Sequence, residues 1–308
     1  MRKALRFISA VSLVVVSATG AAQTLSLTFD DGLNPDKQPL AASWNQAILD
    51  GLKNTNITAM VFPALDRLGG EAGLALIQQW GEQGHAVGNH TSKHRSLASP
   101  QLSLNDFIAD VAEADVVLNT LPNWMPMLRF PYLKEGDTVE KRDGIREWMR
   151  QHGYKAAPVS IDASDWYYNQ VYSAWMDAGE PAKAQQVQAA YIEHLLDRAT
   201  YYDSLAMQVL ERRPAHVLLL HTNRINAETI PDVIEAFTQN GWSFVPPLQA
   251  FNDPLYVADV DSLPAGESII WANAKIKGVE GLRYPAEDSV YEEPHLKALG
   301  LLPLPTTE

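Results

Sequence analysis

The sequence predicts an α/β fold in which parallel strands close into a barrel with helices outside. Three observations carry this. Short apolar runs alternate with helix-compatible stretches seven times between Leu25 and Val245, the pattern of repeated strand–helix units. The runs read as buried strands. Polar residues with chemical capability stand at or just past the C-terminal ends of different runs: Asp30 and Asp31, His90, Arg129, Asp162 and Asp165, and His221. Barrel enzymes build their sites at that edge, whereas an open doubly wound sheet shares the alternation but gathers its site from fewer strands.

The elements follow in order. Leu25-Ser26-Leu27-Thr28-Phe29 is the first strand, and Ala42 to Asn54 has helix-compatible apolar spacing before a second strand, Thr58 to Phe62, stopped by Pro63. Glu71 to Gln83 places Leu74, Ile77 and Trp80 on one helical face and ends at Gly84, and His85 to His90 is the third strand. Ser103 with Asp106 resembles an N-terminal cap for a helix carrying Phe107, Ile108, Val111 and Leu118. Met127 to Phe130 is strand four, Val139 to His152 a helix closed by Gly153, and Ala156 to Ile161 strand five. A long polar helical tract, Ala182 to Arg213, precedes the most apolar strand, His216 to Leu220; Ala227 to Asn240 and Trp242 to Val245 are the last helix and strand. The tail from Phe251 is rich in Pro, Gly and acids and holds one expected helix, Glu267 to Ile276. It is expected to wrap on the barrel, which spans residues 23–250, as an extension rather than to form a domain.

Arg2, Lys3 and Arg6 followed by the apolar stretch Ile8 to Val16, too short to span a bilayer, and Gly20-Ala21-Ala22 read as a secretory signal cut after Ala22. An exported protein, periplasmic or secreted, with no stable membrane insertion once the signal is removed, is the expectation. Losing those three cations takes the formal net charge from −13 to −16, which disfavours nucleic acid and anionic membrane surfaces as partners and suits a neutral substrate. The chain contains no cysteine, so there is no disulfide framework and no thiolate metal site; any metal ligands are His and carboxylate.

Asp30 and Asp31 end the first strand and Gly32 bends the chain behind them. Neighbouring strand residues point to opposite sides, so both acids serve one site only if the backbone turns there. Two carboxylates in one place repel, and a cation or an arginine is needed to neutralise at least one. His90-Thr91-Ser92-Lys93-His94 puts two imidazoles four residues apart; one helical turn after the strand would bring both rings to the same side. Two neutral His nitrogens plus one carboxylate make a zinc-type site with an open position for water. Either motif by itself is also met on ordinary surfaces, and their combination carries the argument.

With these motifs the sequence resembles the polysaccharide deacetylases of carbohydrate esterase family 4, the NodB-homology family. Five motifs stand in the family's order: T-F-D-D-G at 28–32, H-T-S-K-H at 90–94, R-F-P-Y at 129–132, D-A-S-D-W at 162–166 and L-L-L-H-T at 218–222. The resemblance implies a distorted (β/α)₇ barrel and metal-dependent removal of acetyl groups from sugars. It implies Asp31, His90 and His94 as metal ligands, zinc being the expected ion, and Asp30 as general base held by Arg129. It further implies His221 as general acid paired with Asp165, and the Tyr132 backbone N–H as an oxyanion donor. Strand alternation puts Leu219 on the face of His221, and with Trp166 it is expected to form an apolar slot for the acetyl methyl. Asp162 is left between a structural and a functional role.

The expected substrate is an N-acetylated glycan such as peptidoglycan or chitin fragments. The alternatives are an amidohydrolase or deformylase of the same barrel type, and a non-catalytic sugar-binding protein. Between Trp166 and Leu218 the chain is longer than in compact relatives. Tyr168, Tyr172 and Trp175 in that insertion are expected either to wall the groove or to stack on sugar rings.

Overall fold

The first strand, β1 (Gln23–Asp31), is the axis of the molecule. The structure, a computed structural model, describes residues 22–283 and 289–304; the expected signal up to Ala21 lies outside them. Parallel to β1 on one edge runs β7 (Ala215–His221), in register from Thr24 opposite Ala215 to Asp30 opposite His221. The other edge is shared. Its first half pairs with β8 (Trp242–Phe244) and its second half with β2 (Met60–Pro63), which continues to β3 (Ala86–Asn89) and β4 (Trp124–Leu128).

The ring closes through a broken strand. β6 (Lys155–Ala156) pairs with β4, and the chain then crosses to β7, where Ile161 bridges Leu218. Its N–H donates to Val217 O at 3.0 Å, and Leu219 N–H donates back to Ile161 O at 3.1 Å. The sequence predicts one continuous strand from Ala156 to Ile161. Pro158 divides it, because proline has no N–H for the ladder. The result is a seven-stranded parallel sheet, closed with β8 wedged beside β1, and helices on its outer face.

The β1 side chains alternate as a barrel strand requires. Leu25, Leu27 and Phe29 face the helical layer, where Phe29 meets Trp80 at 5.2 Å. Thr28 and Asp30 face inward to Arg129. The outer layer is α1 (Ala41–Asn54), the short α2 (Leu65–Leu68), α3 (Glu71–Glu82), α4 (Leu104–Leu118), α5 (Val139–Gln151), α6 (Asp165–Asp177), α7 (Pro181–Leu210) and α8 (Arg224–Gln239). The Ser103 cap is present, its side chain accepting from Asp106 N–H.

The insertion is a helical hairpin of α6 and α7. Tyr168, Val171, Tyr172 and Trp175 recur at helical spacing on α6 and are buried, which places them in the packing between helices. Tyr168 lies against Tyr191 and His194 of α7, and Trp175 Nε1 donates to Leu301 O. The expectation that these aromatics stack on sugar fails for that reason: burial leaves no face for a ligand.

After a short α9 (Pro247–Ala250), the chain returns along the outside of the closure strand. Tyr256 Oη donates to Ser160 Oγ, Ser268 Oγ donates to Ser160 O, and Ile269 N–H donates to Val159 O. On the way, a two-residue strand, β9 (Ala265–Gly266), pairs antiparallel with β5 (Lys134–Gly136). Two helices end the described chain, α10 (Ile269–Ile276) and α11 (Glu292–Ala298). No helix among the described residues is long and apolar enough to cross a membrane.

Candidate metal centre and catalytic cleft

The turn after β1 begins one residue earlier than Gly32. Asp31 itself has φ 78° and Gly32 φ 99°, so the backbone reverses within the acid pair and turns both carboxylates toward one cleft. Gly32 also leaves room for a neighbour, since a Cβ there would lie 2.3 Å from Leu68 Cδ2 and force that side chain to shift. Thr222, the last residue of the fifth motif, secures this bend: its Oγ1 accepts from Gly32 N–H at 2.8 Å.

His90 and His94 approach each other without a helical turn. Residues 91–94 form an irregular loop with Thr91 at φ 70° and His94 at φ 48°. Side chains replace the missing helical bonds, Thr91 N–H donating to Asn89 Oδ1 and His94 N–H to Thr91 Oγ1. The two rings meet edge to face at 4.8 Å. The four-residue spacing therefore works through a left-handed loop, stabilised by Asn89 and Thr91, and not through the expected turn of helix.

Asp31, His90 and His94 each offer one ligand atom, all within 4.8 Å of one another. Their donor chemistry fits a cation. His90 is buried, and its Nδ1–H donates to Arg129 O at 2.8 Å, so in the neutral ring Nε2 holds a lone pair. That lone pair faces Asp31 Oδ1 and Asp30 Oδ2, each 3.8 Å away. Asp31 Oδ1 is buried and has no hydrogen-bond partner. Negative groups aimed at one another in a buried place are costly without a positive centre between them. Burial, followed by the charge of His94, holds His90 well below the ordinary imidazole range; burial also lowers His94. Both rings are thus kept neutral, as ligands must be. Burial alone would raise Asp31, but neighbouring charge, that of His221 first and Arg67 with it, outweighs burial and keeps the carboxyl ionised below its usual range.

Arg67 adds a detail invisible in the motifs. Its Nη2 lies 3.2 Å from His94 Nδ1. A guanidinium only donates, so this contact is a hydrogen bond only in the tautomer that carries the ring proton on Nε2, the nitrogen 3.2 Å from Asp31 Oδ1. Ligation through Nε2 requires the other tautomer and release of Nδ1 by Arg67.

Asp30 lies beside this triad, buried inside the barrel. Arg129 Nη1 donates to its two oxygens at 3.1 and 3.2 Å, Nη2 to Thr28 Oγ1 at 3.1 Å and Nε to Ala157 O at 2.6 Å. The guanidinium also lies over the Phe62 ring, 4.6 Å from its centre. Burial raises Asp30 to about 6 against the opposing pull of Arg129.

His221 stands opposite Asp30 in register and keeps 21% of its side chain exposed. Its Nδ1–H donates to Asp165 Oδ1 at 2.6 Å. Burial alone would lower this imidazole, but the charge and hydrogen bond of Asp165, with Asp31 and Asp30 beyond, push it up to about 10. Asp165 is fully buried, and its Oδ2 accepts from the backbone N–H of His221, from Asn223 Nδ2 and from Asn226 Nδ2. Tyr191 on α7 in turn donates to Asn226 Oδ1 at 2.6 Å. The insertion thus reaches the site by orienting the amide that holds Asp165. Asn223 also caps α8 by accepting from Asn226 N–H. The signal for both is their spacing, N-x-x-N directly after the fifth motif.

Tyr132 is half-exposed at the rim and meets His94 at 4.7 Å. Trp166 follows Asp165 with 40% of its surface exposed and packs edge-on against Tyr167. Leu219 is on the inner face, nearly buried. Asp162 makes no hydrogen bond with the site residues, its backbone O accepting from the buried Arg198 and its Oδ2 having no hydrogen-bond partner, but its charge acts on Arg129 and His221.

Comparison with known proteins adds a similarity to one family. The model of the polysaccharide deacetylase family matches residues 17–157. A peptidoglycan-N-acetylglucosamine deacetylase of Bacillus cereus is 29% identical over 143 residues, 46% of this chain and 46% of that protein; the chain thus spans about half the length of the curated relative it matches. Among solved structures, the catalytic domain of a peptidoglycan N-acetylglucosamine deacetylase from Eubacterium rectale superposes with a TM-score of 0.51 at 17% identity, over 73% of this chain and 88% of that one. A pseudoenzyme of carbohydrate esterase family 4 superposes with a TM-score of 0.54 at 12% identity, over 75% of this chain and 68% of that one. At such identities these two structures show likeness of fold alone. The chain is thus similar to the polysaccharide deacetylase family in sequence from residue 17 to 157, and to the Eubacterium rectale catalytic domain in fold over 73% of its length.

Proposed function

We propose that this chain is a metal-dependent hydrolase that removes acetyl groups from N-acetylated amino-sugar glycans of the peptidoglycan or chitin type. One observation carries the reading most of the way. The orphaned carboxylate oxygen of Asp31 and the Nε2 atoms of His90 and His94 converge beside two further charge pairs, Asp30–Arg129 and Asp165–His221.

A divalent cation held by Asp31, His90 and His94, zinc by its ligand set, would supply Lewis acidity, acidifying a water and polarising the acetyl carbonyl. Asp30, poised near neutrality by burial, takes the proton of the attacking water. Arg129 keeps that carboxylate ionised and fixed until it does so. The Tyr132 backbone N–H donates to the carbonyl oxygen as charge develops on it. His221, held protonated by Asp165, then delivers a proton to the sugar nitrogen as the C–N bond breaks, giving acetate and a free amine. Leu219 and the exposed Trp166 offer the apolar surface for the acetyl methyl.

A non-catalytic sugar-binding role accounts less well for these residues, because binding alone has no need of an ion pair between Asp30 and the fully buried Arg129 or of an imidazole lifted by Asp165. The test is acetate release from chitooligosaccharides, peptidoglycan and acetylated xylan, with and without exhaustive chelation. Release from N-acetylated substrates that stops on chelation and returns with zinc is expected. Unchanged release at near-zero metal content would overturn the metal mechanism.

A further inference from the structure

The third motif ends in a turn of unusual backbone geometry. Tyr132 has φ 57° and ψ 20°, and Leu133 follows at φ 54°. Two consecutive bulky residues in the left-handed region are unfavourable and persist only where surrounding structure imposes them. Beyond the turn's own bonds, Leu133 N–H to Phe130 O at 2.9 Å and Lys134 N–H to Pro131 O, a restraint comes from the C-terminal part of the chain.

Glu267 N–H donates to Leu133 O at 3.0 Å, and β9 pairs with β5 so that Gly266 lies opposite Lys134 and Ala265 opposite Gly136. Gly266 has φ 118°, and a Cβ on it would lie 1.8 Å from Leu133 O. Only glycine allows that approach. The Lys134 ammonium pairs with the Glu267 carboxylate across the same step. The next two residues fasten the segment to the closure strand, Ser268 Oγ to Ser160 O and Ile269 N–H to Val159 O, both at 2.8 Å. The restraint is therefore tied to the barrel wall at its other end.

We propose that Ala265–Glu267 is a clamp, supplied by the C-terminal extension, that holds the Tyr132–Leu133 turn in its left-handed geometry and so aims the Tyr132 N–H at the developing oxyanion. Gly266 and Glu267 are positioning residues: they act through the turn and touch no substrate. The catalytic consequence rests on the reading of Tyr132 under Proposed function; the mechanical claim does not.

The experiment follows Gly266→Ala, Glu267→Gln and Lys134→Met in the full chain. Hydrogen exchange is measured over residues 131–136 and 90–94, with zinc content and with kcat and KM on a chitooligosaccharide. Gly266→Ala is expected to speed exchange over 131–136 but not over 90–94, to keep the zinc stoichiometry, and to lower kcat about tenfold or more with KM within about twofold, the signature of an interaction made in the transition state. The two side-chain variants, which leave the backbone intact, are expected to move exchange and kcat in the same direction by about twofold to threefold; they decide the matter should Gly266→Ala not fold. Exchange over 131–136 equal to wild type in the folded variants overturns the clamp, and faster exchange with unchanged kcat overturns its catalytic consequence. If the wild-type protein releases no acetate, the deacetylase reading falls, and the exchange arm alone still decides whether residues 265–267 hold the turn.

Discussion

Arg129 reaches across the closed interior of the barrel to Asp30 and donates to both of its oxygens while remaining fully buried itself. Removing one member of such a pair strands a charge in a dry place, at a typical cost of about 3–5 kcal/mol. Arg129→Met should lower unfolding free energy by roughly that amount and lift the Asp30 pKa further, so that little base is ionised at neutral pH. Urea denaturation and turnover at two pH values check this; stability within error of wild type would contradict it.

The adjacent aspartates should separate cleanly. Asp31→Asn should lose metal affinity, because Asp31 Oδ1 is the orphaned oxygen facing both imidazoles. Asp30→Asn should keep the metal and lose about a hundredfold to ten-thousandfold in turnover. Metal stoichiometry and acetate release read the two effects, and the reverse pattern would exchange the roles.

Arg67 should weaken metal binding. Its donation to His94 Nδ1 favours the tautomer that cannot ligate through Nε2, and its charge adds repulsion. Arg67→Leu should bind zinc about threefold to tenfold more tightly, corresponding to about 1 kcal/mol. A chelator competition assay measures this, and unchanged or weaker affinity would show that Arg67 does not oppose the metal.

Turnover should follow a bell-shaped pH profile. Asp30 works ionised, so activity falls as pH drops through its pKa, about 6 in the metal-free protein and lower once a cation sits beside it. His221 works protonated, so activity falls as pH rises through about 10. Asp165→Asn removes the carboxylate that lifts His221 and should bring the alkaline limb down toward the ordinary imidazole value of about 6.5. The raised His221 pKa also stabilises the fold fully below the ordinary value, a contribution lost as pH rises through about 10. An alkaline limb unmoved in Asp165→Asn would remove His221 from the profile.

The aromatic residues of the fourth motif and insertion should divide by burial. Trp166→Ala should lower kcat/KM while changing stability by about 1 kcal/mol or less, because the ring is 40% exposed. Tyr168→Ala, fully buried against α7, should cost about 3–5 kcal/mol and affect short and long substrates alike. Thermal melts and a chain-length series separate the two. A loss confined to long substrates in Tyr168→Ala would return that residue to the groove.

The order of the strands, most helices and all five motifs were legible in the sequence, because each depends on residues close in the chain: apolar periodicity, a cap at Ser103, a stop at Pro63. So was the company kept by Asp30, Asp31, His90, Arg129 and His221, since parallel strands deliver their C-terminal ends to one edge whatever their separation in sequence. Tertiary structure decided the rest. That His90 and His94 converge through a left-handed loop depends on Asn89 and Thr91 side chains filling for helical bonds. That Tyr168, Tyr172 and Trp175 face inward depends on which side of α6 the hairpin covers, and local spacing sets a stripe but not its partner. The contacts of Tyr191 with Asn226, Arg67 with His94 and Gly266 with Leu133 join segments 35, 27 and about 130 residues apart. Chain closure over such distances is driven by packing of the whole, which no local pattern encodes.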